Sequence, residues 1–175
     1  MSYIIIMILL IAVFVGVQIS SFRRSLIKRK HKVDNAMAQI GLQLDLQWEI
    51  LDMLQRELLV KAGKAITLFD YDNRKKITEK VAPQEIIWQC KYIKEGFQLF
   101  EYIQKQTPQL QTDEVCCQAV QAFKQYNQMI EISRMIYNNA VTKTSKKWGR
   151  QPLKTIAKWM GFVYREPLEK LPQIL

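Results

Sequence analysis

Hydrophobic positions along the chain fall into a few periodic stretches, and each predicts a helix. Residues 3–22 carry no charge, and 3–15 are apolar on every face. At about 1.5 Å rise per residue they would span roughly 30 Å as a helix, the hydrocarbon thickness of a bilayer. From 33 to about 64 the pattern changes to one face: Ile40, Leu44, Leu51, Leu54, Leu58 and Ala62 align, with Met37, Trp48 and Ile66 beside them. Gly41 and Gly63 are the weak points of this helix. Residues 69–76 (Phe-Asp-Tyr-Asp-Asn-Arg-Lys-Lys) read as a solvated, charged connection.

A second bundle helix opens near Pro83, since proline is tolerated at the first helical position and Glu85 suits the positive helix end. Ile86, Cys90, Ile93, Phe97 and Phe100 step 4-3-4-3, and Thr107-Pro108 closes the helix. Thr112-Asp113-Glu114 supplies a cap for a third. Two adjacent stripes then run at period 3.5: Val115, Ala119, Ala122, Tyr126, Met129, Ser133, Ile136, Ala140, and Cys116, Val120, Phe123, Asn127, Ile130, Arg134, Tyr137, Val141. Together they predict a broad buried face at the centre of a left-handed bundle, with Ala122 and Ala140 at contacts. Gly149 and Pro152 end this helix, a short basic helix over 153–160 follows, and no segment alternates as a strand does.

Charge adds direction to this pattern. The net charge of +10 is concentrated at the flanks. Residues 23–34 hold six Lys/Arg against Asp34, and residues 143–175 hold eight against Glu166 and Glu169, whereas 35–142 hold twelve against thirteen Asp/Glu. Arg23, Arg24, Lys28, Arg29, Lys30 and Lys32 all follow the apolar run. A cleaved secretory signal would have its basic residues before the run and a small-residue site after it, and a core helix would be polar on one side. The run therefore reads as a single-pass anchor in the cell membrane. The positive-inside bias predicts a translocated N-terminus and a cytoplasmic remainder, large enough for one cored domain.

Candidate chemistry changes the picture little. Cys90, Cys116 and Cys117 are odd in number and lack C-x-x-C spacing, and His31 is the one histidine. No zinc site or Cys-His dyad follows from such a set, and reduced structural cysteines suit a cytoplasmic domain. No phosphate-binding, dinucleotide, zincin or nucleophile-elbow motif occurs. The expectation is a non-enzymatic chain with no cofactor.

Several motifs together resemble the LemA family of small membrane-anchored helical proteins. Val33-Asp34-Asn35-Ala36-Met37-Ala38-Gln39-Ile40-Gly41-Leu42-Gln43-Leu44 is similar to the family's V-x-x-A-x-x-Q-I-x-x-Q-L, and Glu49-Ile50-Leu51-Asp52-Met53-Leu54 to its D-L-I-P-N-L. Thr107-Pro108-Gln109-Leu110 resembles Y-P-x-L, and Ser133-Arg134-Met135-Ile136-Tyr137-Asn138-Asn139-Ala140-Val141 resembles A-R-x-x-Y-N-x-A-V. Pro152-Leu153, Ala157 and Gly161-Phe162 resemble the closing segment. Leu46-Gln47 and Asp52-Met53 depart from the family pattern, as does Thr144-Ser145 where a second Y-N pair is missing.

The resemblance implies an up-and-down helical bundle beside a membrane, without a family-wide activity. The fold class is thus all-α: a transmembrane helix, then an antiparallel bundle of three long helices and a short fourth. The divisions are 1–22 anchor, 23–32 basic segment, 33–163 bundle and 164–175 tail. In an up-and-down order the third bundle helix leads away from the bilayer, leaving residues 143–150 about 45 Å from it.

Candidate site residues follow. Asn127, Arg134, Tyr137 and Asn138 lie at near-heptad spacing, and they read as buried register polars with an interaction role as the alternative. Trp48 and Trp88 read as core, whereas Trp148 and Trp159 lie among Lys146, Lys147, Arg150, Lys154 and Lys158, a mixture that suits anionic lipid or nucleic acid. Placed far from the bilayer, those five basic residues are expected to meet an acidic partner or to serve solubility. Two functions remain: a scaffold that binds an unidentified protein, or a tethered binder of polyanions, lipid or nucleic acid, through the basic flanks.

Overall fold

A computed structural model describes residues 2–63, 66–75, 77, 81–148, 153–159 and 165–168, without the side chains of Ser2, Ala62, Tyr71, Lys147, Trp148 and Leu153. It contains α1 (Ser2–Ala62), a 3-10 turn (Tyr71–Asn73), α2 (Pro83–Gln106), α3 (Pro108–Gln111), α4 (Glu114–Trp148) and α5 (Leu153–Trp159). Among the described residues there is no strand, and the all-α bundle expected from the pattern is what forms.

The anchor and the first bundle helix are one element. No proline interrupts residues 2–62, so α1 runs on for 61 residues, about 90 Å. The basic segment 23–32 lies inside it. Residues 3–20 are exposed on all sides and stand clear of the bundle, forming the one described helix long and apolar enough to cross a membrane. Gly63, with φ of +62°, ends the helix in the left-handed conformation that glycine tolerates.

Below this end, α4 packs antiparallel along α1. Lys61 pairs with Asp113 at the far end of the bundle, Gln47 Nε2 donates to the Phe123 carbonyl at 3.4 Å, and Ser133 Oγ donates to Gln43 Oε1 at 3.4 Å. These buried polar contacts set the α1–α4 register, a role the sequence reading had given to Asn127, Arg134, Tyr137 and Asn138.

The second bundle helix differs in direction from the up-and-down order. Trp48 Nε1 donates to Gln89 Oε1 at 3.4 Å, and a Cβ at Gly96 would lie 3.6 Å from Leu51 Cδ1, so α2 rises alongside α1 rather than returning beside it. The return pass is made by the connection 63–82. Descending α1, its Leu68 amide donates to Gln55 Oε1 at 2.8 Å, Phe69 sits edge-on to Trp48, Arg74 pairs with Asp45, and Ile77 reaches Gly41. Gly41 and Gly96 let this backbone in: a Cβ at either would lie 3.0 and 2.7 Å from the carbonyl oxygens of Ile77 and Leu68.

The connection read from its charges as a solvated loop is therefore a packed strap. Asp70, Asp72, Arg74 and Lys75 face water, while Leu68, Phe69 and Ile77 are buried between α1 and α2. Gln89 completes the arrangement by donating to the Lys75 carbonyl at 2.8 Å while accepting from Trp48.

Since α2 rises, α4 must descend, and the C-terminal half of α4 lies at the end of the bundle nearer the apolar residues 3–20. Ser133 meets Gln43; thirteen residues on, Lys146 is level with Lys30, thirteen residues before Gln43. This overturns the distal placement of residues 143–150, as far as they are described; Gly149, Arg150 and Pro152 lie outside the described residues. The broad α4 face is also narrower than expected. Cys116, Ala119, Phe123, Ile130, Ser133, Tyr137, Val141 and Thr144 are buried, Ala122 and Ala140 pack at its margin, and Val115, Met129 and Ile136 are exposed. With the strap in place of a fourth long helix, Val115, Met129 and Ile136 of the first stripe are left without a described neighbour to bury them.

Candidate functional site

The densest polar geometry at the end nearer residues 3–20 fastens the C-terminal segment to α4. Asn138 Nδ2 donates to the Leu168 carbonyl at 2.8 Å, and the Leu168 amide donates to Asn138 Oδ1 at 2.7 Å. One side-chain amide thus satisfies both backbone groups of one residue, as a neighbouring strand would. Beside it the buried Tyr137 donates its hydroxyl to the Glu166 carbonyl at 3.0 Å; burial pushes its pKa up and keeps it a donor. Arg165 reaches across to Asp34 on α1 at 2.7 Å, and Leu168 is buried. Residues 165–168, expected as part of a tail, form a clasp that ties α1, α4 and the C-terminal segment together.

The family model for the LemA family matches residues 36–173, from the bundle half of α1 to beyond the clasp. The chain belongs to the LemA family. Comparison with curated proteins and with solved structures gives no match.

The LemA-like motif on α4 acquires a physical meaning from the clasp. Its Tyr137 and Asn138 hold the C-terminal segment, and the Leu110 of Thr107-Pro108-Gln109-Leu110 is fully buried under the turn into α4. The four polar candidates are not one site. Arg134 makes a two-nitrogen contact with Glu131 at 2.9 and 3.0 Å on its own helix, and Asn127 is half-buried outside the clasp.

The two basic flanks, by contrast, come together. Lys143 and Lys146 sit at the level of the α1 basic segment, and α5 lies in the chain between the end of α4 and Arg165 beside Asp34. One side of α5 is inward, with Ala157 buried, while Lys154, Lys158 and Trp159 face outward. Trp159 is 85% exposed. Trp48 is core as expected, but Trp88 is 41% exposed and stacks on Tyr92 at 5.3 Å, where the strap leaves it uncovered.

At the opposite end of this LemA bundle, Glu57, Asp113 and Cys116 bring three potential ligand atoms within 4.8 Å of one another. Their chemistry is accounted for internally. Lys61 pairs with Asp113 and, at 2.8 Å, with Glu57, so an ammonium supplies the positive charge between the carboxylates. Hydrogen bonding to Lys61 and to the Cys116 amide holds the Asp113 carboxyl down to about 2, while burial pushes the Cys116 thiol up to about 12. Asp113 Oδ1 accepts the Cys116 amide at 2.9 Å, which makes it the N-cap of α4.

A surface missed from the sequence lies on the outer face of α4. Met129, Ile132, Met135 and Ile136 are 47%, 57%, 64% and 53% exposed. Gln125, Gln128 and Asn139 flank them, and the nearest charges on this helix stretch, Glu131 and Arg134, neutralise one another to the side. The sequence signal was present, since Ile132 and Met135 belong to neither core stripe.

Proposed function

We propose that this LemA protein is a single-pass, membrane-anchored interaction module that carries out no catalytic step. Its bundle stands on the cytoplasmic face of a bacterial-type membrane and presents the outer face of α4 to a protein partner. The supporting observation is the exposed Met129–Ile132–Ile136 strip, uncharged in a chain whose other surfaces are well charged. Ile132 is level with Leu44, some 22 residues beyond the apolar run, or about 33 Å along α1. Lipid does not reach that height, which leaves a partner with a complementary apolar face. Anchoring is supported by the exposed apolar half of α1, and orientation by the basic segment directly after it. The absence of a catalytic role is supported by the thiols of Cys90 and Cys116, both pushed up to about 12 by burial and so held protonated.

Photo-crosslinking from position 132 of the full chain in intact membranes tests the reading, with position 102 on α2 as control. A discrete product from 132, absent from 102 and lost in Ile136→Glu, is expected. Equal products from both positions would contradict it. Labelling of a C-terminal reporter from outside intact cells would reverse the orientation.

A further inference from the structure

We propose that the end of α4 and helix α5 form a second membrane contact, which binds anionic lipid headgroups of the same bilayer that holds α1. The proposal rests on the reading of residues 3–22 as an anchor and adds a lipid-binding surface to it. Four observations carry it. First, the α1–α4 register sets Lys146 level with Lys30, so the basic flanks at the two ends of the sequence meet at one end of the fold. Second, this end is mostly positive, with the exposed Glu166 of the clasp outnumbered by Lys143, Lys146, Lys154 and Lys158. No carboxylate precedes Asp34 or falls between Glu131 and Glu166, and Asp34 is already paired with Arg165.

Third, α5 is divided between a protein-facing and an outward side. Ala157 is buried, whereas Lys154, Lys158 and Trp159 face solvent, placing an indole beside ammonium groups as in a membrane-interface segment. The clasp holds this helix at the basic collar that the two flanks form together: α5 starts just after the end of α4, and Arg165 is fixed to Asp34 soon after its end. Fourth, the height suits headgroups. Lys30 is eight residues beyond the apolar run, about 12 Å along the helix. The polar region of a leaflet occupies roughly 5–7 Å of that, and a lysine stem spans much of the rest. The surface potential extends about 8 Å further at physiological salt.

Lipid is favoured over nucleic acid as the polyanion because α1 holds the collar at the leaflet permanently, so headgroups are present at high effective concentration. The contact also fixes the bundle's tilt: α4 and α5 lie on one side of α1, and their attraction draws that side down towards the bilayer.

Lysine footprinting on the unmodified full chain tests this. The protein is reconstituted into vesicles of phosphatidylcholine alone or with phosphatidylserine, and acetylation rates are read by mass spectrometry at each lysine. Lys146, Lys154 and Lys158 should be modified about fivefold more slowly in the anionic vesicles, the factor expected for about 1 kcal/mol per lysine at such a surface. Lys105, at the far end of α2, should be unaffected, and about 1 M salt should abolish the difference. Equal rates at the three lysines in both vesicles, with the protein still floating with lipid, would overturn the lipid contact and leave the anchor reading intact. Protein that fails to float with either vesicle would overturn both. Protection produced by added RNA on neutral vesicles, without any from phosphatidylserine, would assign the collar to nucleic acid instead.

Discussion

The two ends of the bundle are closed by different means. At the end away from residues 3–20 the closure is ionic: Asp113 caps α4 and pairs with Lys61, 52 residues earlier in the chain, which also holds Glu57 one turn away. At the end nearer residues 3–20 the closure is mostly uncharged. Tyr137 and Asn138 take backbone groups about 30 residues further along the chain, and the buried Leu168 follows them into the core. The first of these ends shows how one ammonium at the end of α1 locks the start of α4. The second shows that a segment with no pattern of its own can be fixed by acceptors and donors waiting on a helix.

The largest effect that separates the ends is expected at Tyr137. Its ring is fully buried, so Tyr137→Ala should leave a cavity and lower stability by about 3–5 kcal/mol, read as a drop in the thermal midpoint. A loss below about 1 kcal/mol would mean that the clasp end does not support the core. Asn138→Ala should cost about 1–3 kcal/mol by leaving both Leu168 backbone groups unpaired, and amide exchange at 165–168 should accelerate while that of α2 is unchanged.

Asp113→Ala should cost about 1 kcal/mol, the value of a helix cap. Its cost has a pH signature that the Asn138–Leu168 contact lacks. The folded pKa of Asp113 lies near 2, below the unfolded value of about 3.9, so its stabilisation is complete above that unfolded value and is lost as pH falls from about 4 towards 2. Lys61 is shifted the other way, so its contribution is complete below about 10.4 and is lost at higher pH. The cost of Asn138→Ala should stay constant between pH 2 and 5, because an amide and a peptide group do not titrate there. If both variants lost their effect together on acidification, the contrast between the ends would fail. The smallest effect belongs to the outer face of α4: Ile132→Gln should change stability by under about 0.5 kcal/mol, as at other exposed positions.

Much of this architecture was legible. The boundaries of α2 and α4 follow from Pro83, Thr107-Pro108 and the Asp113 cap, and one stripe of α4 is the core. Val115, Met129 and Ile136 have the same spacing as their buried neighbours, and only the number of helices packed around α4 decides between them. The direction of α2 had one sequence signal. Twenty residues separate Ala62 from Pro83, longer than antiparallel neighbours need, and Leu68, Phe69 and Ile77 lie within them. Their charged neighbours hid the strap. The clasp had little signal in residues 165–168, because Tyr137 and Asn138 bond their backbone and only Arg165 and Leu168 contribute side chains.

Everything said of the collar depends on α4 descending towards the membrane beside α1. Spin labels at His31→Cys and Thr142→Cys, in a Cys117→Ser background, measure this directly by double electron–electron resonance on the full chain in vesicles. Both positions are exposed, and in adjacent antiparallel helices whose axes are about 8–10 Å apart the labels should lie roughly 10–25 Å from one another. A separation centred near about 45 Å would put the end of α4 at the far end of the bundle and contradict the fold described here.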